Sequence, residues 1–90
     1  MDGQTARQEV CIRGKHGLHA RPAASLAQEA RKFQSEVRLI MGDQVVDCKN
    51  ILDILTLAAG QGCELEIEAQ GEDAALAVEH LANCIEKDCA

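Results

Sequence analysis

Apolar and polar side chains alternate with a period of two in several short stretches of the chain. In residues 7–13, Val10 and Ile12 oppose Glu9, Cys11 and Arg13; in 36–41, Val37, Leu39 and Met41 oppose Glu36 and Arg38. Gly42-Asp43 is a turn signal before a further short stretch, 44–47. In 64–69, Leu65, Ile67 and Ala69 oppose Glu64, Glu66 and Glu68. Each pattern predicts a strand with one face on a core and the other in water. Elsewhere the period is helical. Ala23, Leu26, Ala27, Ala30 and Phe33 share one face, and Pro22 ahead of them suits a first turn but no later one. Asn50 is placed to cap a helix from Ile51 to about Ala59, ended by Gly60 and Gly62. Glu72 and Asp73 open a last helix with apolar residues at 74, 78, 81 and 85. The order is β-α-β-β-α-β-α, an α+β arrangement in a single domain spanning residues 1–90.

Chemistry concentrates at the start of the first helix, in Gly17-Leu18-His19-Ala20-Arg21-Pro22-Ala23-Ala24. His19 sits where the helix begins, beside its unpaired N–H groups, and Arg21 follows two residues later. Free amides and the positive end of the helix dipole favour an anion here. A phosphoryl group on the imidazole would gain backbone hydrogen bonds and a charge-assisted contact from Arg21. Gly17 permits a turn with positive φ, and Leu18 is placed to pack beneath the helix. A lone histidine in such a place is usually a surface cap; the glycine, arginine and proline at these offsets point instead to phosphoryl chemistry.

Charge narrows the field. Residues 1–50 hold eight of the nine Lys/Arg with six acids, whereas residues 51–90 hold one Lys with nine acids, for a net charge of −6. The acidic balance, with one Phe and no Trp or Tyr, argues against a nucleic-acid partner. The glutamates at 64–68 read as solvated surface, while Lys15, Arg21, Arg31 and Lys49 are expected to rim His19 as a basic patch steering an acidic partner. A polar start at residues 1–8 and the lack of an 18-residue apolar run lead to the expectation of a cytoplasmic protein without membrane insertion.

Gly-Leu-His-Ala-Arg-Pro-Ala resembles the active-site motif of HPr, the histidine-containing phosphocarrier family of the bacterial phosphotransferase system. Residues 49–62 resemble the family's second helix and its following turn, and Gly71–Ala74 with Val78–Leu81 resemble its last helix, so the likeness covers about 7–86. The resemblance implies an open-faced sandwich: a four-stranded antiparallel sheet with three helices on one face. It also implies a covalent relay rather than a free-standing enzyme. His19 would accept a phosphoryl group on Nδ1 from phosphorylated enzyme I, charged by phosphoenolpyruvate, and pass it to an enzyme IIA in sugar uptake. The backbone of Ala20 and Arg21 would hold the phosphate, Arg21 would stabilise it, and the carrier would need no cofactor and act as a monomer. Two alternatives stand beside this: a carrier of the nitrogen-related branch, and a regulatory module that docks without transferring phosphate.

The second helix carries Ile51, Leu52, Ile54, Leu55 and Leu57 around its whole circumference, more than one buried stripe accommodates. The surplus predicts an exposed docking patch. The resemblance assigns it to Ile51, Leu52 and Leu55 with Ala20 and Ala24 from the first helix, and Arg31 and Lys49 belong to the same partner surface. Many family members carry a regulatory serine after the lysine equivalent to Lys49; this chain has Asn50, so no serine switch is expected. His16, three residues before His19 and outside the helix, reads as a loop residue, with tuning of the site as the lesser alternative. Five cysteines, at 11, 48, 63, 84 and 89, form no CxxC pair, and their odd count points to free thiols. His80 and Cys84 share a helical face, with Cys89 beyond, but too few ligands recur for zinc, so packing and surface placement account for them and no metal is assigned.

Overall fold

The computed structural model describes residues 4–87. Seven elements follow in the expected order: β1 (Thr5–Cys11), α1 (Ala20–Ala30), β2 (Glu36–Met41), β3 (Gln44–Asp47), α2 (Ile51–Thr56), β4 (Glu64–Gln70) and α3 (Ala74–Glu86). The four strands form one antiparallel sheet in the order β1-β4-β2-β3. β4, last in sequence, thus lies between β1 and β2. The helices cover one face, so the open-faced sandwich implied by the family likeness is the fold observed.

Alternation explains the layering. Val10, Val37, Leu39, Leu65, Ile67 and Ala69 point inward and are buried. They meet Ala23, Leu26, Ala27 and Ala30 of α1 and Ala74, Ala77, Val78, Leu81, Ala82 and Ile85 of α3 in one core. With so many alanines on its inner face, α3 lies close to β1 and β4, while α1 packs beside α2 and α3. On the open face, β1, β4 and β2 place Arg7, Glu68 and Arg38 in one register row. Glu68 receives Arg7 at 2.8 Å and Arg38 at 2.9 Å, and Arg38 reaches Glu36 at 3.1 Å. Glu68 is therefore paired between two guanidiniums, not simply solvated.

Boundaries depart from the sequence pattern in four elements. β1 covers Thr5–Cys11 rather than 7–13, because β4 runs on to Gln70 and pairs with Thr5. The polar Gln8, opposite Ile67, hides this in a hydrophobicity pattern. Ile12 still exchanges hydrogen bonds with the chain at Gly62 and Cys63. α1 stops at Ala30, leaving Phe33 outside it and half-buried. α2 ends at Thr56, short of Ala59, and neither Gly60 nor Gly62 stops it: Ala58 takes a left-handed φ of 52°.

The reason for that early end lies in the loop before α1. Gly17 has a φ of +69°, and a Cβ on it would stand 2.2 Å from the Ala59 carbonyl oxygen. The next residue, Leu18, donates its N–H to the same oxygen at 2.9 Å. The exit from α2 must turn sharply to present this carbonyl. A second long-range tie joins the turn before β2 to the start of α3. The Asp73 carboxylate accepts the N–H groups of Gln34 and Ser35, each at 2.9 Å, and the Ser35 hydroxyl.

Both ties are testable. Gly17→Ala should lower stability by about 2 kcal/mol or more, from left-handed strain plus the clash with Ala59. Gly60→Ala, which meets open space without a positive φ, should stay within about 1 kcal/mol of wild type; thermal and denaturant unfolding read both. The Ser35 hydroxyl, then the Gln34 amide, hold the Asp73 carboxyl below the usual carboxylate range. The folded state thus binds this proton more weakly than the unfolded chain. Its stabilising contribution is present above the unfolded pKa of about 3.9 and is lost as pH falls through the lower folded value. Asp73→Asn should therefore lower the melting temperature at neutral pH and flatten its fall in acid.

Candidate functional site

His19 is the N-cap of α1, with extended backbone at φ −81° and ψ −171°. Its carbonyl accepts the first helical bond, from Ala23 N–H at 2.9 Å. Its side chain is exposed and makes no capping hydrogen bond. The first-turn amides of Ala20 and Arg21 have no acceptor within the helix, and Pro22, buried at the third position, has no N–H to satisfy. Two donors and the positive helix end are thus directed past an imidazole that nothing in its own turn restrains. Leu18 is buried beneath, as expected, and anchors the loop in the core.

His16 also belongs to this site. A turn closed by Gly17 N–H on the Gly14 carbonyl, at 3.0 Å, folds the loop back. The His16 ring then stands edge-on to His19, with centroids 5.7 Å apart and planes at 87°. The loop placement expected of His16 holds, and the ring contact favours its lesser reading, as a neighbour of the His19 site.

The basic rim is not assembled as expected. Arg31 Nε donates to the Lys49 carbonyl at 2.9 Å, and Lys49 Nζ donates to the Phe33 carbonyl at 2.9 Å. Both side chains are held at the C-terminal end of α1. A helix rises about 1.5 Å per residue, so they lie more than about 15 Å from His19. Lys49 reaches a carbonyl just beyond the end of α1 and Arg31 reaches one just ahead of α2, long-range contacts invisible in a charge count. Lys15 and Arg21 remain exposed at the His19 end.

α2 runs beside α1 from the Arg31–Lys49 end to the His19 end, since its exit meets Leu18. Its circumference divides as the sequence required. Ile54 and Leu57 are buried, Ile51 and Leu55 are half-buried, and Leu52 is 73% exposed. Ala20 is exposed and Ala24 half-buried on α1. Asn50 caps α2, its side-chain oxygen accepting the Asp53 N–H at 3.1 Å.

A family model described as "PTS HPr component phosphorylation site" matches residues 6–87. The chain belongs to the HPr family. Phosphocarrier protein HPr of Buchnera aphidicola is 42% identical over 76 residues, covering 84% of this chain and 89% of its own. The crystal structure of phosphocarrier protein HPr from Bacillus anthracis superposes with a TM-score of 0.86 at 36% identity, over 90% of this chain and 96% of that one. The HPr-like protein Crh of Bacillus subtilis, a domain-swapped dimer in its crystal structure, matches at 42% identity and a TM-score of 0.76, over 90% and 93%. HPr membership makes this a phosphocarrier-family protein rather than a conventional enzyme. No helix among the described residues is long and apolar enough to cross a membrane.

Among the cysteines, Cys11, Cys63 and Cys84 carry free thiols and Cys48 is buried in the core, while Cys89 lies outside the described residues. For the α2 cap, Asn50→Ala should cost about 1 kcal/mol, while Asn50→Ser should leave stability nearly unchanged. Equilibrium unfolding of the two variants checks the cap directly.

Proposed function

We propose that this HPr-family chain is a relay in which His19 carries the phosphoryl group between phosphorylated enzyme I and an enzyme IIA in sugar uptake. The observation that carries the reading is the exposed, uncapped imidazole of His19 beside the open amides of Ala20 and Arg21. In the forward step a lone pair of the ring, on Nδ1 as in the family, attacks phosphorus. A new N–P bond forms as the bond from phosphorus to the donor breaks, and the donor leaves with that electron pair. The phosphoryl oxygens then face the Ala20 and Arg21 N–H groups and the Arg21 guanidinium, which stabilise them without holding them in a closed pocket. An open site suits a carrier: it must release the group to a second protein as readily as it accepts it from the first.

Docking is assigned to the strip of Ala20, Ala24, Ile51, Leu52 and Leu55, with Arg31 and Lys49 closing its far end. Leu52 supplies the apolar anchor, since its exposure is otherwise uncompensated. The chain is read as a single domain, with its core in 7–86, that works as a monomer in the cytoplasm. With Asn50 in place of the serine, an HPr serine kinase has no hydroxyl to modify at the α2 cap. A regulatory module that only docks would need neither His19 nor Arg21. Both are present and open, which favours transfer.

Incubation with phosphoenolpyruvate and enzyme I should yield one acid-labile adduct on His19, absent from folded His19→Ala. Label on His16 or His80 would refute the assignment. Arg21→Ala should slow transfer about tenfold or more, in line with the loss of a charge-assisted bond. Leu52→Asp should instead weaken enzyme I binding about tenfold, as a charge on the docking strip must be desolvated. Unchanged affinity in the folded variant would move the interface off α2.

A further inference from the structure

Away from His19, where the last turn of α1 faces the middle of α3, three side chains with metal-binding donor atoms converge. His80 Nε2 lies 2.7 Å from Glu29 Oε1, and Cys84 Sγ lies 3.8 Å from the same nitrogen. The three donor atoms all fall within 4.8 Å of one another. We propose that Glu29, His80 and Cys84 form a binding site for a divalent transition-metal ion, with zinc the best match and a water completing the coordination.

The donor set is the first argument. One carboxylate oxygen, one imidazole nitrogen and one thiolate suit a borderline-soft ion and disfavour calcium or magnesium, which take oxygen ligands. Geometry is the second. Tetrahedral zinc with its usual bond lengths needs about 3.4 Å between the nitrogen and oxygen donors and about 3.5 Å between sulfur and nitrogen. The observed 2.7 Å and 3.8 Å differ from these by about 0.7 Å and 0.3 Å, and the sulfur and carboxylate oxygen, within 4.8 Å of each other, must close by up to about 1.3 Å, movements that partly exposed side chains allow.

The surroundings already orient the ligands. His80 and Cys84 are separated by one helical turn on α3, so their side chains share a face. The Phe33 ring packs against the imidazole, with centroids 5.7 Å apart, and limits its rotation. Lys32 holds Glu29 Oε2 at 3.1 Å and leaves Oε1 for the ion, the outer contact that a ligating carboxylate commonly has. On binding, the proton that His80 Nε2 donates to Glu29 leaves that nitrogen, to solvent from an imidazolium or to Nδ1 in the neutral ring, and the Nε2 lone pair and the carboxylate oxygen each bond the metal. The Cys84 thiol releases its proton to solvent as the metal–sulfur bond forms. The simpler alternative is that Glu29 and His80 form an ion pair with Cys84 as a bystander, and the thiol distinguishes the two.

Glu29 lies ten residues along α1 from His19, about 15 Å by helix rise, so metal binding should not block the phosphoryl site. The test is titration of the reduced full-length chain with cobalt(II), followed by displacement with zinc. Expected are one equivalent of cobalt, tetrahedral visible bands and a thiolate-to-cobalt charge-transfer band. Cys84→Ser should abolish that band, and His80→Gln and Glu29→Gln should each weaken binding at least about tenfold. Saturating zinc should raise the melting temperature of the wild type but not of Cys84→Ser. Cys11→Ser, Cys63→Ser, Cys89→Ser and His19→Ala should bind as wild type does. All these positions except the half-buried Glu29, Cys11, Cys63 and Cys84 are exposed or lie outside the described residues, and circular dichroism would verify that each variant folds. Absence of the charge-transfer band, or binding that follows another cysteine, would overturn the proposal. His19→Ala separates the two readings, since it removes the phosphoryl acceptor and leaves these ligands untouched.

Discussion

The contact between the loop ahead of α1 and the exit from α2 governs the rest of the arrangement. Leu18 donates to the Ala59 carbonyl at 2.9 Å, and Gly17 lets the backbones approach closely enough for it. A side chain at 17 would occupy the space of that carbonyl. The cost appears on the other partner, where Ala58 is forced into left-handed backbone, of order 1 kcal/mol for a residue with a Cβ. In return the end of α2 is fastened beside the residue that begins α1. At the opposite end, Arg31 and Lys49 fasten the pair again through backbone carbonyls. A helix of six residues is too short to be stable alone, so α2 depends on these contacts and on buried Ile54 and Leu57.

This double fastening connects packing to chemistry. His19 gains its open amides because α1 begins where Gly17 and Leu18 require it, and Pro22 is accommodated without loss of a hydrogen bond. The apolar strip along α1 and α2 stands beside the histidine because the same contact aligns the two helices. His19 and the exposed apolar strip are thus parts of one packed unit. The charges of Arg31 and Lys49 serve that unit structurally, so a count of cations overstates what is free at the histidine.

The two faces of the sheet divide the remaining work. The inward face holds the core, while the open face carries the Arg7–Glu68–Arg38–Glu36 row. Each of these surface pairs contributes little singly. In register across three strands they neutralise part of the acidic second half of the chain. Asp73 acts similarly between layers, satisfying three donors in the turn before β2 and linking that turn to α3.

Features set by near neighbours could be read along the chain. The β2–β3 hairpin, with Gly42-Asp43 at its turn, matched residue for residue, because alternation and turn chemistry are local. The buried faces of α1 and α3 and the cap by Asn50 follow from side-chain spacing and one short hydrogen bond. His19 and Arg21 stood out because helix start, proline and glycine lie within six residues. What required the folded chain were contacts between residues far apart in sequence. Ala58, rather than a glycine, takes the left-handed turn because Leu18 demands the Ala59 carbonyl. β1 begins at Thr5 because β4 reaches Gln70. Arg31 is drawn to the Lys49 carbonyl and Lys49 to that of Phe33, and Glu29 meets His80 across 51 residues. Periodicity records which face of an element is buried, but not which element it meets or in what register. That information resides in shared backbone hydrogen bonds and close approaches, which exist only once the layers are packed.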